Sequence, residues 1–286
     1  MEKFSVLTSV YKNDKPEQLK LALTSIYQNQ TVKPNEIVLV IDGPISDELK
    51  NVIEEFEKDC PVLKVVKQEE NMGLGKTLNN GLEHCTNDIV ARMDADDVSM
   101  PERFEEQLKV IAEGYDLIGS NLKEFIDNPD EVVSERIVPE KQEDIIKFMK
   151  GRNPFSHPTV MFRKEMVLKA GGYQHLHYCE DYYLWVRMYL AGAKMYNIQK
   201  PLLRFRMNMD TYGRRGGYKY FCSHKQLFKF MRKNKVMGLF TYLKNIHIRF
   251  FAEVMLSNKR RQKLYQKHLR KEIKNDKGQN SDKEAV

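Results

Sequence analysis

Three stretches of this 286-residue sequence carry side chains that could do chemistry together. The first is "ARMDADDVSMP", where Asp94, Asp96 and Asp97 follow an apolar run and precede Pro101. If strand geometry persists past Met93, Asp94 and Asp96 point the same way, because side chains alternate along a strand. Two such carboxylates beyond a strand end suit a hard cation, Mg2+ or Mn2+, with coordination positions left for a phosphate. The competing account is an Asp-rich turn, with Asp97 or Ser99 capping the helix that begins near Pro101. From this window both stay open.

The second stretch is "NMGLGKTLNNG". Gly75–Lys76–Thr77 invites a P-loop reading, but that motif needs glycine five positions before Gly75, and residue 70 is Glu. A milder reading survives. Asn71, Gly73 and Gly75 let the chain approach a ligand at a helix N-terminus, where backbone N–H groups favour anions. Ordinary capping explains each residue singly as well. The third stretch is Glu180–Asp181, which opens a helix after "HLHYC". Acids in a first helical turn often answer only the helix dipole; the functional alternative is a general base. His157, His175, His177 and Cys179 lack the paired spacing of a zinc set.

The elements that must position these residues alternate. "FSVLTSVY", "EIVLVIDG", "VLKVVKQ", "DIVARMD" and "YDLIGSNLKEF" read as strands. Between them lie helices such as "PEQLKLALTSIYQ", "DELKNVIEEFEKD", "GLGKTLNNGLEHC" and "PERFEEQLKVIAEG". That order predicts βαβ units and an α/β fold with a mostly parallel, Rossmann-like sheet covered by helices on both faces. Ligands of such sheets bind beyond the carboxyl ends of the strands, where Asp42 and Asp94 fall. Further on, "HPTVMFRKEMVLKAGGY" predicts a strand and a short helix capped by Gly171–Gly172. "EDYYLWVRMYLAG" predicts a helix, and "AKMYNIQKPLLRFRM" a strand pair broken at Pro201.

Composition bounds the rest. A 41% apolar content supports a core, and the net charge of +7 hides an asymmetry. Residues 214–274 hold 18 Lys and Arg against two acids, while residues 1–213 hold 27 against 35. An acidic body thus carries a basic segment, predicted to be an amphipathic helix able to lie on an anionic membrane. Binding of nucleic acid, or a solvated basic face packed on the domain, would use the same residues. The tail 275–286 reads as disordered. No apolar run approaches the roughly 18 residues of a membrane span. No signal peptide is expected, and four scattered cysteines read as the reduced thiols of a cytosolic protein.

Together these features resemble glycosyltransferase family 2, with its GT-A fold. The resemblance runs from Phe4 to roughly Arg206. It rests on "SVLTSVYKND", "LVIDG", "NMGLGKTLNNGL", the DXD-type "ARMDADD", "HPTVMFRK", "GGY" and "EDYYLWVRM", in the family's order. It implies a catalytic domain over 1–213, with a nucleotide-sugar half to about 125 and an acceptor half over 126–213. A nucleotide-sugar donor would lie against Thr8, Ser9, Val10, Tyr11, Asp42, Asn71, Gly73, Lys76, Asn79, Arg92, Asp94 and Ala95. Asp94 and Asp96 would hold Mn2+ or Mg2+. Asp181 would be the base, with Glu180 its neighbour to test, and Arg206, Arg214 and Arg215 are placed to close over the diphosphate. The family is typically inverting.

Two departures stand out. "IDGP" offers one acid where the family usually has two before Gly–Ser, and the QxxRW-type motif of processive members is absent. A single sugar per event is therefore expected, moved from a UDP-linked donor to a growing lipid-linked bacterial glycan at the inner face of the membrane. No nucleic-acid partner is expected. A nucleotidyltransferase would share the sheet and the metal carboxylates, but "TSVYKNDKPEQ" lacks its Gly-rich basic loop. A non-enzymatic binder would act through residues 214–274 alone.

Overall fold

The computed structural model describes residues 2–207, 216–258, 260–261 and 271–272. Strands β1 (Phe4–Val10), β2 (Glu36–Ile41), β3 (Leu63–Lys67) and β4 (Ile89–Met93) alternate with helices α1 (Pro16–Ile26), α2 (Asp47–Asp59) and α3 (Leu74–His84). The four strands pair in parallel in the order β4-β1-β2-β3. The runs of β1, β2 and β4 are buried on both faces, as parallel strands under helices must be, whereas the edge strand β3 is partly exposed. On β2, Val38 and Val40 enter one core, while Ile37, Leu39 and Ile41 enter the other. Pro16 occupies the start of α1, where its missing N–H leaves no bond unmade. The Ser46 hydroxyl caps α2 by accepting from the Leu49 amide.

Beyond β4 the sheet turns mixed. The chain continues through β5 (Val98–Ser99), α4 (Arg103–Ala112), β6 (Leu117–Phe125), β7 (Val132–Arg136) and α5 (Gln142–Met149). A 3-10 turn (His157–Thr159), β8 (Met161–Arg163), α6 (Lys164–Lys169), α7 (Glu180–Leu190) and β9 (Met195–Arg206) follow. Strand β8 lies antiparallel between β4 and β6, and β6 runs parallel to β9. The parallel part of the sheet is therefore its first half. Strand β6 ends at Phe125, and the sheet continues beyond that point through β7 and β9. The strand pair expected around Pro201 is instead the single strand β9. Its register against β6 slips beside the proline, which removes one ladder donor without ending the strand.

Two apolar layers sandwich the sheet. Phe4, Leu19, Ile53, Phe104 and Ile111 belong to one; Leu7, Leu78, Trp185, Leu227 and Phe228 belong to the other. The C-terminal segment joins the second layer through α8 (Tyr218–Lys233), whose Phe230 ring meets Tyr183 of α7 edge-on at 5.0 Å. Helix α9 (Leu239–Arg249), by contrast, buries none of its residues, and Phe240 is 81% exposed. It runs into a π turn (Phe250–Met255). The basic segment thus divides into a deeply packed helix and a surface one that rests only Tyr242 and Ile246 against the same layer. It also contains a strand where only helix was expected: β10 (Lys271–Glu272) pairs antiparallel with β7. The tail 275–286 and Arg214–Arg215 lie outside the described residues. Among those described, no helix is long and apolar enough to cross a membrane.

Candidate active site

Strand β4 ends at Met93, and Ala95–Asp96 form a turn. Asp94 and Asp96 therefore converge through a turn and not by strand alternation. The competing account, with Asp97 capping the next helix, does not hold: Asp97 turns inward. Helix α4 starts without a side-chain cap, and Asp97 Oδ1 accepts the Arg206 amide at 2.8 Å in the core. Carboxylate oxygens of Asp94, Asp96 and Asp97 all lie within 4.8 Å of one another. Burial, with Asp94 beside it, pushes the Asp96 carboxyl up to about 6, and burial pushes Asp97 well above the carboxylate range. Asp97 Oδ2 is buried without a hydrogen-bond partner among the described residues. Clustered, mutually repelling oxygens of this kind fit a hard divalent cation.

Arginines hold this turn from beneath. Arg92 is fully buried and forms an ion pair with Asp94. Arg206 was expected at a diphosphate, but its guanidinium clamps backbone: Nε donates to the Asp96 carbonyl at 3.0 Å and Nη1 to the Asp127 carbonyl at 3.0 Å. It also stacks over Phe125 at 4.5 Å. β9, far along the chain, thereby fixes the shape of the carboxylate turn.

The other expected donor contacts divide. Asp42 accepts from the Met72 amide at 2.7 Å and from Asn71 Nδ2 at 3.0 Å, tying the β2 end to the loop before α3. Only glycine fits at position 43, since a Cβ there would lie 2.6 Å from the Asn71 nitrogen at φ +81°. Gly73 begins α3, and Lys76 is exposed on its first turn. Ser9 and Tyr11 are half-buried at the end of β1, whereas Thr8, Val10 and Ala95 are buried, leaving mainly their backbone to a ligand. Asn79 is engaged elsewhere: its amide brackets Tyr173, donating to that carbonyl and accepting from that amide, both at 2.8 Å. Gly172, at φ +64°, permits that approach.

Asp181 sits in the first turn of α7. Its Oδ1 accepts the Tyr182 amide at 2.7 Å, and Oδ2 accepts from Asn153 Nδ2 at 2.7 Å. Burial pushes its carboxyl above the usual range despite these donors. Asp181 and Asp94 line one cleft of about 510 Å³, together with Asn153, His157 and the 151–158 loop. Glu180 is not in that lining. It faces His175, at 3.6 Å, and the start of α3 near Gly75. The geometry separates two neighbours that the sequence left paired. The zinc alternative does not assemble: His157 bonds the Tyr173 hydroxyl at 2.8 Å, and Cys179 approaches His224 at 3.9 Å.

Sequence reasoning missed several residues here. Asn153 orients Asp181, with "GRNP" as its only local signal. Asp14, in "YKND", accepts the Tyr11 amide at 2.9 Å, and burial lifts its carboxyl to about 7, with Asp96 and Asp94 adding to the shift. Arg136, Arg152 and Arg249 line the same cleft. They come from three unconnected segments, so no window of sequence displays them together.

Comparison with known proteins agrees with this geometry. The profile of Glycosyl transferase family 2 matches residues 5–171. The chain is 42% identical over 239 residues to the amylovoran biosynthesis glycosyltransferase AmsE of Erwinia amylovora, covering 82% of this chain and 88% of that one. It is 37% identical over 272 residues to an Escherichia coli UDP-Gal:alpha-D-GlcNAc-diphosphoundecaprenol beta-1,3-galactosyltransferase, covering 94% and 97%. A Pyrobaculum calidifontis mannosyltransferase solved with GDP-Man and Mn2+ shares the fold at TM-score 0.61 and 16% identity, over 90% of this chain and 70% of that one. This chain belongs to glycosyltransferase family 2. It is a glycosyltransferase, which sets aside the nucleotidyltransferase and non-enzymatic readings.

Proposed function

We propose that the protein transfers one sugar per event, with inversion, from a UDP-linked donor to a hydroxyl of a lipid-linked bacterial glycan at the inner membrane face. The observation that carries this reading is the shared cleft of Asp94 and Asp181. A turn able to hold a metal and a half-buried carboxylate in the same space are the two parts that an inverting displacement needs.

Asp94 and Asp96 would hold Mn2+ or Mg2+. When bound, the ion supplies Lewis-acid neutralisation of the charge that develops on the departing diphosphate. The protein's own groups do the rest. The β1 end at Ser9–Tyr11 and the Asp42–Asn71 loop receive the nucleoside. Asp181 accepts the proton of the attacking hydroxyl as the oxygen bonds to the anomeric carbon. The bond from that carbon to the phosphate oxygen breaks with its electron pair on the nucleotide. Asn153 keeps Oδ2 aimed, and the raised carboxyl makes Asp181 a better proton acceptor than a solvated aspartate.

The membrane-side acceptor has two supports. The galactosyltransferase relative is named for a diphosphoundecaprenol-linked acceptor. In this chain, Phe240, Leu243, Phe251 and Met255 are exposed on α9 and the π turn, close in sequence to the exposed bases Lys233, Lys235 and Lys244. An apolar stripe flanked by cations suits an anionic bilayer. Transfer assays with Mn2+ and a panel of UDP-sugars, on wild type, Asp96→Ala and Asp181→Ala, test the mechanism. Full activity in both variants would sink it.

A further inference from the structure

Donor chemistry accounts for the carboxylates of the cleft and leaves its basic lining unexplained. There Arg136 from β7, Arg152 from the loop after α5, and Arg249 from the end of α9 line the same cavity as Asp181. Each guanidinium is held by its surroundings. Arg136 donates to the carbonyls of Asn153 at 2.9 Å and Phe155 at 3.1 Å. Arg249 donates to the Gly151 carbonyl at 2.7 Å and to Glu253 at 2.8 Å. Arg152 stacks over the Phe148 ring at 4.7 Å. Guanidiniums fixed in this way lose little freedom on meeting an oxyanion, and their planar forks match phosphate oxygens.

Helix α9 supplies the apolar part. Its C-terminal end puts Ile248 and Arg249 in the cleft lining, and Ala252 follows from the π turn. The same helix exposes Leu243 and Phe240, the latter nine residues from Arg249, or about 13 Å at the helical rise. Around one cavity the chain thus gathers a proton acceptor, three guanidiniums and, on the helix that supplies Arg249, an exposed apolar face. A sugar carried on a lipid diphosphate presents the matching parts: hydroxyl, phosphates, hydrocarbon. We propose that Arg136, Arg152 and Arg249 form the subsite for the acceptor's diphosphate, distinct from the donor diphosphate at the aspartate turn. This rests on the reading of the chain as a transferase to a lipid-linked acceptor.

The test compares two water-soluble acceptors that bear the same sugar. One carries it on a short-chain alkyl diphosphate, the other as a neutral alkyl glycoside. Wild type is expected to favour the diphosphate acceptor at least tenfold in kcat/KM. Arg152→Gln, and Arg249→Lys, which retains a charge for Glu253, are expected to cut that selectivity ratio about tenfold, through acceptor KM. A ratio left unchanged while both activities fall would mean the arginines only support the fold, and would overturn the subsite. So would a rise in donor KM with the ratio intact, which assigns the arginines to the donor. Wild-type transfer to the neutral acceptor alone overturns the subsite but spares the transferase. Wild-type transfer to neither acceptor, with any UDP-sugar, overturns the acceptor reading itself.

Discussion

The two ends of the cleft are built in opposite ways. At the proposed donor end, the neighbouring parallel strands β4, β1 and β2 deliver Asp94, Ser9–Tyr11 and Asp42 to one edge, each by the same geometric rule. At the proposed acceptor end, Asp181, Asn153 and the three arginines arrive from β7, the loop after α5, α7 and α9. The first end is a property of the sheet; the second is a convergence of segments that share no local pattern. The donor end carries negative charge in need of a cation. The acceptor end carries cations already set on carbonyls and rings.

Substitution of the chemistry itself is the strongest way to break this comparison. Asp181→Asn should lower kcat by about 10² to 10⁴-fold while leaving nucleotide binding measurable. Asp96→Asn should cost about 10² to 10³-fold and abolish stimulation by Mn2+. If Asp181→Asn lost nucleotide binding and kept its rate, the assignment of ends would be reversed. Next comes stability. Glu253 is buried between Arg249, at 2.8 Å, and His224, at 3.2 Å, and its carboxyl is held below the usual range by those two partners against its burial. Glu253→Gln leaves Arg249 uncompensated and should cost about 3 kcal/mol or more in urea unfolding. A neutral result would mean the C-terminal unit is not locked to the cleft.

A pH profile sharpens the contrast further. Asp181 works as a base only when ionised, and burial raises its carboxyl, so kcat/KM should rise with pH. Its acidic limb should turn at a pH above the roughly 3.9 of a free aspartate. A limb at or below that value would mean the carboxylate is solvated. The smallest effect concerns the membrane. Phe240→Glu should weaken sedimentation with anionic vesicles several-fold, while turnover of a soluble acceptor stays near wild type. Unchanged vesicle binding would detach α9 from any membrane role.

Much of the sheet edge beneath the proposed donor site was legible because periodicity places residues: "EIVLVIDG" and "DIVARMD" each name a strand and what lies beyond it. What failed there was local. Asp97 looked like a cap because Asp often caps helices, yet tertiary contact with the Arg206 amide won. Asn79 entered the donor set through the family resemblance, yet it brackets Tyr173, 94 residues away. Arg206 looked free because nothing in sequence shows the carbonyls of Asp96 and Asp127 around it. At the acceptor end only Asp181 was legible, through its motif. Asn153 and the arginines owe their roles to long-range convergence, which no window encodes.

The position of β8 carries one last consequence, for the birth of the protein. Strand β4 is complete at Met93, but its partner on the open side, Met161–Arg163, is made nearly seventy residues later. Until then a hydrophobic strand edge in the middle of the future sheet has no neighbour. The donor half can form early as a parallel unit, but it must wait, exposed along that edge, for the acceptor half to be synthesised. Such an edge is a template for wrong pairing, so the nascent chain passes through a window of vulnerability to aggregation that closes only when β8 slots in.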